Sequence, residues 1–148
     1  MRVRRARSGD RGAFASFCCS DGTPRQTDIE RWVRRKALNW QKSSLGNELY
    51  VLVDEAEDIV GLYAFRPGGE EDEWFIVAVA VATAHQNQGI GRRLLETCVD
   101  RLQQRAPGGW AYWNVDRGNV QSHAVSQHVG DVDPFPDSAK LTSYTVRL

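Results

Sequence analysis

Apolar residues that alternate with polar ones, or that run on without a polar break, predict six strands in this chain. The run at 73–81 (EWFIVAVAV) is almost entirely apolar, which is typical of a central strand covered on both faces. The two runs before it flank a short acidic turn and are predicted to pair as an antiparallel hairpin. The predicted strands are residues 1–6, 48–54, 59–66, 73–81, 110–115 and 140–148.

Apolar residues in four other segments follow the helical repeat of three to four positions. Thr27 and Glu30 have the spacing of a capping box, which predicts a helix start at Thr27. Gly130 is placed to end the last helix. The predicted helices are residues 10–19, 27–40, 92–106 and 119–129.

The order of these elements describes one domain of mixed α and β structure over residues 1–148. A chain of 148 residues with 41% hydrophobic and 26% charged residues has enough apolar side chains for a core, which excludes disorder as the main state. The chain holds no apolar run of the roughly 18 residues that a membrane helix needs. Its basic first ten residues lack the apolar stretch of a secretory signal, so we expect a cytoplasmic protein without a membrane partner.

The cysteines and histidines show no metal-binding spacing. The number of cysteines is odd, and none of them forms a CxxC pair, which predicts reduced thiols. They are Cys18, Cys19 and Cys98. The three histidines are scattered and form no HxxxH or HExxH pair. We therefore expect no metal cofactor.

The net charge is zero, but the charges are unevenly distributed. Residues 1–42 hold eleven basic and four acidic residues, whereas residues 43–148 hold eight basic and fifteen acidic ones. The basic third would suit an anionic substrate, a phosphate or an acidic partner. The alternative is a solvated basic helix whose charges are paired with acids elsewhere in the fold.

The segment 79–95 (VAVATAHQNQGIGRRLL) predicts an anion site. A buried strand leads into a glycine-bearing loop and then into a helix, whose first N–H groups are free to bind a phosphate. Gly89 and Gly91 would let the backbone approach such a ligand closely. The loop is not a P-loop, because no Lys-Ser or Lys-Thr pair follows it, and Leu94 stands where a dinucleotide-binding fingerprint has its third glycine.

The loop resembles the acetyl-coenzyme A motif of the GNAT superfamily of N-acetyltransferases. Gln86-Asn87-Gln88-Gly89-Ile90-Gly91 matches the signature Q/R-x-x-G-x-G/A of that superfamily. The valine-rich strand before the motif also resembles the family pattern, and so does the Asn119–Gly130 spacing after it. The resemblance implies an α/β (mixed α+β) domain, with a mostly antiparallel twisted sheet of six to seven strands, about four helices and a splay between the fourth and fifth strands.

The resemblance also assigns cofactor-binding roles. Backbone amides of the loop would hold the pyrophosphate of acetyl-coenzyme A, the edge of the fourth strand would bind the pantetheine arm, and two polar residues downstream would contact the lower part of the cofactor. Arg92 would add positive charge against the phosphates. The implied set is Val79, Ala80, Val81, Gln86, Asn87, Gln88, Gly89, Ile90, Gly91, Arg92, Asn119 and Ser122.

The catalytic residues are less well defined by the resemblance. Many members carry a Tyr as general acid seven residues after the motif Asn, and this chain has Ser126 there. Many members also carry a Glu as general base on the central strand, which has no acid after its first residue here. Glu73, at the entry of that strand, and the neighbouring Asp72 are the candidates for the base.

The resemblance implies acetyl transfer to a primary amine of a small molecule or peptide, by direct attack in a ternary complex. The basic first helices, which carry Trp32 and Trp40, favour an anionic or aromatic acceptor. Pairing of the C-terminal strand would allow a homodimer.

Two alternatives stay open. The helix around residues 29–38 resembles one in acetyltransferase toxins that act on aminoacyl-tRNA and have an antitoxin partner, although the zero net charge argues against nucleic acid. The absence of the motif Tyr and of the strand Glu would also fit a non-catalytic acyl-coenzyme A binding module.

Overall fold

The computed structural model describes residues 1–134 and 140–148, which form a seven-stranded sheet with helices on both faces. The strands are β1 (Arg2–Arg5), β2 (Glu48–Val53), β3 (Ile59–Pro67), β4 (Glu73–Val81), β5 (Trp110–Asp116), β6 (Asp131–Val132) and β7 (Leu141–Arg147). The helices are α1 (Arg11–Ala15), α2 (Pro24–Arg35), α3 (Ala37–Ser43), α4 (Ile90–Arg105) and α5 (Val120–Val129). Short 3-10 turns precede α1 and α4.

The strand order is β1-β2-β3-β4-β5-β7-β6, and every pair is antiparallel except β4 with β5. The predicted mostly antiparallel α/β fold is therefore confirmed. The sheet separates two hydrophobic cores, one beneath α1, α2 and α3 and the other beneath α4 and α5. Alternate residues of β4 belong to opposite cores, which explains why the sequence of this strand is almost entirely apolar.

The predicted splay lies between β4 and β5. The two strands pair over only three residues, from Glu73 with Trp110 to Phe75 with Tyr112. On its other edge β4 carries a β-bulge, because Ala64 and Phe65 of β3 face three residues of β4, with Val77 as the extra one. Beyond Phe75 the two strands therefore separate and leave a gap in the sheet.

The predicted capping box at Thr27 is wrong. The helix begins three residues earlier, at Pro24, and proline is favoured in the first turn because its missing N–H would have no partner there. Glu30 instead accepts the backbone N–H groups of Cys19 and Ser20, at 2.9 and 3.3 Å. Glu30 therefore binds the loop that precedes the helix and does not cap the helix. The spacing of Thr27 and Glu30 in the sequence does not reveal this contact.

The predicted helix over residues 27–40 is divided in two. The backbone leaves the helical region at Lys36, where φ is −130° and ψ is −26°, and α3 begins at the next residue. Val33 of α2 and Leu38 of α3 are both buried in the same core, and Trp32 and Trp40 meet edge to face at 5.2 Å. The described residues consequently form five helices where the sequence predicted about four.

Three smaller differences concern the ends of elements. The first helix ends at Ala15, four residues before the predicted end. The short strand β6 was not predicted, because two residues carry no periodicity. Pro134 and Pro136 predict a loop from the sequence, and Pro136 lies outside the described residues. Within the described parts of the chain, no helix has the length and apolar character that crossing a membrane would need.

Candidate functional site

The gap between β4 and β5 opens into a cleft of about 360 Å³. One wall is the outer half of β4, where Ile76, Val77, Ala78, Val79 and Val81 line the cleft, and the opposite wall is the end of β5 together with α5. The loop before α4 forms one end of the cleft, and the start of α2 lies across the gap. The cleft therefore exists because β4 and β5 pair only at their first residues.

The loop before α4 has the geometry of an anion seat. Gly89 is the N-cap of α4 and has φ of +78°, in the left-handed region that glycine adopts without strain. Asn87 is also left-handed, with φ of +64°. The 16-residue helix α4 starts at Ile90, so its first N–H groups lack intrahelical acceptors and line the cleft at the positive end of the helix dipole.

The side chains of the loop hold it in place on the sheet. The Gln86 amide donates to the carbonyl oxygens of Cys19 and Val81, at 2.9 and 3.1 Å. The Asn87 side-chain oxygen accepts a hydrogen bond of 2.6 Å from the Gln121 amide of α5. These contacts leave the backbone amides, rather than the side chains, to face a ligand.

The residues of α5 that were singled out in the sequence line the opposite side of the cleft. The Asn119 side chain is buried and caps α5 by accepting the Ser122 N–H at 3.1 Å. The Ser126 hydroxyl is buried and accepts a hydrogen bond of 2.9 Å from the indole N–H of Trp113. The stacked ring of Tyr144 keeps Trp113 in place behind the cleft, with ring centroids 5.9 Å apart.

The structure brings most of the predicted residues together. The cleft is lined by Val79, Val81, Gln86, Asn87, Gly89, Ile90, Gly91, Arg92, Asn119, Ser122 and Ser126. Four predicted residues are not among those that line it. Ala80 faces the core beneath α2, and the side chain of Gln88 is exposed. The two candidates for the base, Asp72 and Glu73, lie at the entry of β4, and Glu73 is four residues before Val77, about 13 Å back along the strand.

Several cleft residues were missed by the sequence analysis. Arg25 and Asp21 come from the segment between the first two predicted helices, and Asp116 follows the predicted end of β5. The Asp116 carboxylate accepts the backbone N–H of Arg25 at 2.6 Å, so it ties the start of α2 to β5. Asp116 and Arg25 are 91 residues apart in the sequence, and no local sequence pattern indicates that they are in contact.

Five of the eleven basic residues in the first third of the chain form ion pairs with acids that the structure describes. Arg4 forms a two-pronged ion pair with Asp10, at 2.7 and 2.9 Å, and this hydrogen bonding keeps the pKa of Asp10 below its usual value. Arg5 and Arg2 pair with acids that follow in the sequence, Glu48 and Glu57. The alternative of a basic segment paired within the fold thus describes part of these charges, chiefly those of β1 and α2.

Two ionisable groups of the cleft are perturbed by burial. Burial raises the pKa of the Cys19 thiol to about 12, and the nearby Glu30 adds to the effect. Burial also lowers the pKa of the Arg25 guanidinium, against the opposing influence of Asp116. Among the described residues, no three His, Cys, Asp or Glu side chains come together in a group that would hold a metal ion.

Solved structures of low sequence identity share this fold. PaiA N-acetyltransferase from Thermoplasma acidophilum, in complex with coenzyme A, is 12% identical with a TM-score of 0.75, over 99% of this chain and 98% of that one. YncA from Salmonella typhimurium, with its cofactor acetyl-CoA, is 19% identical with a TM-score of 0.67, over 100% and 94% of the two chains. The spermidine N-acetyltransferase SpeG from Vibrio cholerae (F149G mutant) is 12% identical with a TM-score of 0.71, over 99% and 92%.

The sequence matches no curated protein. It does match a family model, described as the acetyltransferase (GNAT) family, over residues 16–130. The matched region contains the whole of α2 and α4, the splayed strands, the glycine loop and α5. The chain belongs to the GNAT family of acetyltransferases.

Proposed function

We propose that this protein transfers the acetyl group of acetyl-coenzyme A to a primary amine of a small molecule or peptide. The proposal rests on two features of the cleft. Gly89 adopts a left-handed conformation at the N-terminus of α4, and β4 has no strand paired with its β5 side after Phe75. A phosphate-bearing, extended ligand is what such a pair of features fits.

The cleft residues divide the binding of acetyl-coenzyme A between them. The N–H groups from Asn87 to Arg92 would hold the pyrophosphate, since they lie at the start of α4. The β4 edge after Phe75 would hydrogen-bond the amides of the pantetheine arm in the way that a neighbouring strand would. Apolar side chains of β4 and α5, among them Val79 and Val125, would pack against that arm.

The cleft supports direct attack by the amine. Acetyl-coenzyme A supplies a thioester: the amine nitrogen bonds to the carbonyl carbon, the carbon–sulfur bond breaks, and the amide and the free thiol are the products once the amine proton is lost. Cys19 is the cysteine of the cleft, and with a pKa of about 12 it stays protonated at neutral pH. A thiol in that state is a poor nucleophile, which disfavours an acetyl-cysteine intermediate.

We propose that Ser126 assists the leaving thiolate. Its oxygen accepts the Trp113 N–H, so the hydroxyl hydrogen is available to a group in the cleft. A buried hydroxyl that donates to developing negative charge on sulfur stabilises the transition state without giving up its proton. Ser126 would thus supply a hydrogen bond where many family members place a tyrosine acid.

Titration of the purified protein with acetyl-coenzyme A in a calorimeter tests the proposal first. We expect saturable binding, with free coenzyme A binding at the same site because both carry the pyrophosphate. A panel of amines incubated with acetyl-coenzyme A should then release free thiol. A folded protein that does not bind acetyl-coenzyme A would refute the proposal. Binding without turnover of any amine would favour a non-catalytic acyl-coenzyme A module.

Ser126→Ala is expected to lower kcat about tenfold, the value of one hydrogen bond to a developing charge. The Kd of acetyl-coenzyme A should stay within twofold, because the contact strengthens only as the carbon–sulfur bond breaks. Steady-state kinetics and calorimetry measure the two quantities.

The alanine also leaves the buried Trp113 N–H without its acceptor, so stability is controlled separately. The same substitution is made in a Trp113→Phe background, in which both polar groups are absent. If kcat is the same for Trp113→Phe with and without Ser126→Ala, the hydroxyl does not act on the thiolate.

A further inference from the structure

Arg25 is the one residue of the basic first third whose guanidinium lines the cleft, among the described residues. It lies in the first turn of α2, where that helix crosses from β4 to β5. Its Nη2 donates to the carbonyl oxygen of the bulged residue Val77 at 2.8 Å. The side chain therefore reaches into the gap at the point where the two strands begin to separate.

Arg25 makes no direct ion pair with the acids that the structure describes near it, although Asp116 and Asp28 lie close enough to raise the pKa of its guanidinium. Among residues 1–134 and 140–148, no carboxylate oxygen forms an ion pair with it within 4.0 Å. Its Nε is buried and, within the same residues, makes no hydrogen bond. The two acids that line the cleft beside it bind other donors, since Asp116 accepts the Arg25 backbone N–H and Asp21 accepts both donors of Thr23.

Burying a positive charge with an unsatisfied hydrogen-bond donor lowers the stability of the folded protein, unless an anion binds that charge and accepts the hydrogen bond. Burial is the largest influence on the pKa of Arg25 and lowers it, and the charges of Asp116 and Asp28 oppose that lowering only in part. An arginine presents several donors in a plane, a geometry that matches a carboxylate well. An anion that enters the cleft would supply the acceptor that Nε of Arg25 lacks among the described residues.

That anion is not the pyrophosphate of the cofactor. The phosphate seat lies beyond the end of β4, whereas Arg25 binds Val77, four residues before Val81. Four residues of an extended strand span about 13 Å. Arg25 thus lies at the inner end of the β4 edge, on the face of the sheet covered by α2.

We infer that Arg25 selects acceptors that carry a carboxylate next to the amine to be acetylated, so that the acceptor is an amino acid or a close analogue. The inference rests on the proposed function. The carboxylate would bind the guanidinium while the amine points into the gap toward the thioester. A polycationic acceptor would be disfavoured, because it would bring a second positive charge to an unpaired one.

Paired acceptors test the inference. Glycine, β-alanine, glutamate, phenylalanine and tryptophan are compared with their primary carboxamides, and spermidine serves as a cationic acceptor. The measured quantity is kcat/KM from thiol release. For the wild-type protein we expect a preference of at least about tenfold for the carboxylate in one or more pairs, as one charge-assisted hydrogen bond provides.

Arg25→Gln should reduce that preference to near unity, mainly through KM, and Arg25→Lys should retain part of it because the charge remains. Arg35→Gln is the matched control, since it removes the same charge from an exposed position of α2. The Kd of acetyl-coenzyme A and the thermal unfolding of each variant are measured beside the kinetics. A merely structural Arg25 would change these two quantities and leave the preference as it was.

The outcomes separate this inference from the proposed function. Turnover that ignores the carboxylate, or that favours spermidine, overturns the role of Arg25 and leaves the acetyltransferase standing. An equal loss of kcat for every acceptor in Arg25→Gln also overturns it, since Arg25 would then act on the acetyl group. If acetyl-coenzyme A binds and no amine in either set is acetylated, the proposed function fails and this inference fails with it.

Discussion

Gly89→Val is expected to weaken acetyl-coenzyme A binding more than 100-fold while the protein stays folded. Valine is strongly disfavoured at the φ of +78° that Gly89 adopts, so the loop must rearrange. The rearrangement turns the N–H groups at the start of α4 away from the pyrophosphate. Loss of two charge-assisted hydrogen bonds is worth about 3 kcal/mol, which is a factor of more than 100 in Kd.

The turn at the opposite end of α4 provides a matched control. Gly108 has φ of +83°, and a Cβ at either Gly108 or Gly89 would meet no atom within 4 Å. Gly108→Val therefore carries the same backbone strain at a position that does not line the cleft. Calorimetric titration and thermal unfolding of both variants separate strain from binding. Equal Kd values for the two variants would show that the loop before α4 does not hold the pyrophosphate.

Gly109→Ala is expected to destabilise the protein by about 3 kcal/mol, as overpacking at a rigid contact does. A Cβ at Gly109 would lie 2.3 Å from the carbonyl oxygen of Asp72, a backbone atom that cannot move independently. The same carbonyl accepts the Trp110 N–H at 2.8 Å, where β5 begins its short pairing with β4. The substitution would push the two strands apart at the only place where they are joined in the described structure.

Thermal and denaturant unfolding measure this effect, which corresponds to roughly 6–12 °C in Tm for a chain of this size. Gly69→Ala is the control, because a Cβ there meets nothing within 4 Å and φ is not positive. It should change stability by less than about 0.5 kcal/mol. If Gly109→Ala is as stable as the control, the backbone where β4 and β5 pair shifts to accommodate the added Cβ at little cost in free energy, and the prediction is wrong.

The amino-acid sequence predicted the parts of the fold whose signals are local. The apolar runs located six of the seven strands, because each carries a period of two or an unbroken apolar stretch. The glycine loop at Gly89 was recognised because the conformation it needs restricts the residue types that can occupy it. The fold class followed from the order of the elements and from the resemblance that this loop carries.

Only the tertiary structure decided how distant segments meet. The helix begins at Pro24 and not at the predicted Thr27, and the Glu30 carboxylate binds the preceding loop. The spacing of Thr27 and Glu30 cannot distinguish that contact from a helix cap. Arg25 entered the cleft because α2 crosses from β4 to β5 and Asp116 fixes its first turn. Local periodicity determines which residues form strands and helices, whereas the site depends on long-range packing between them, and that packing leaves no regular spacing in the sequence.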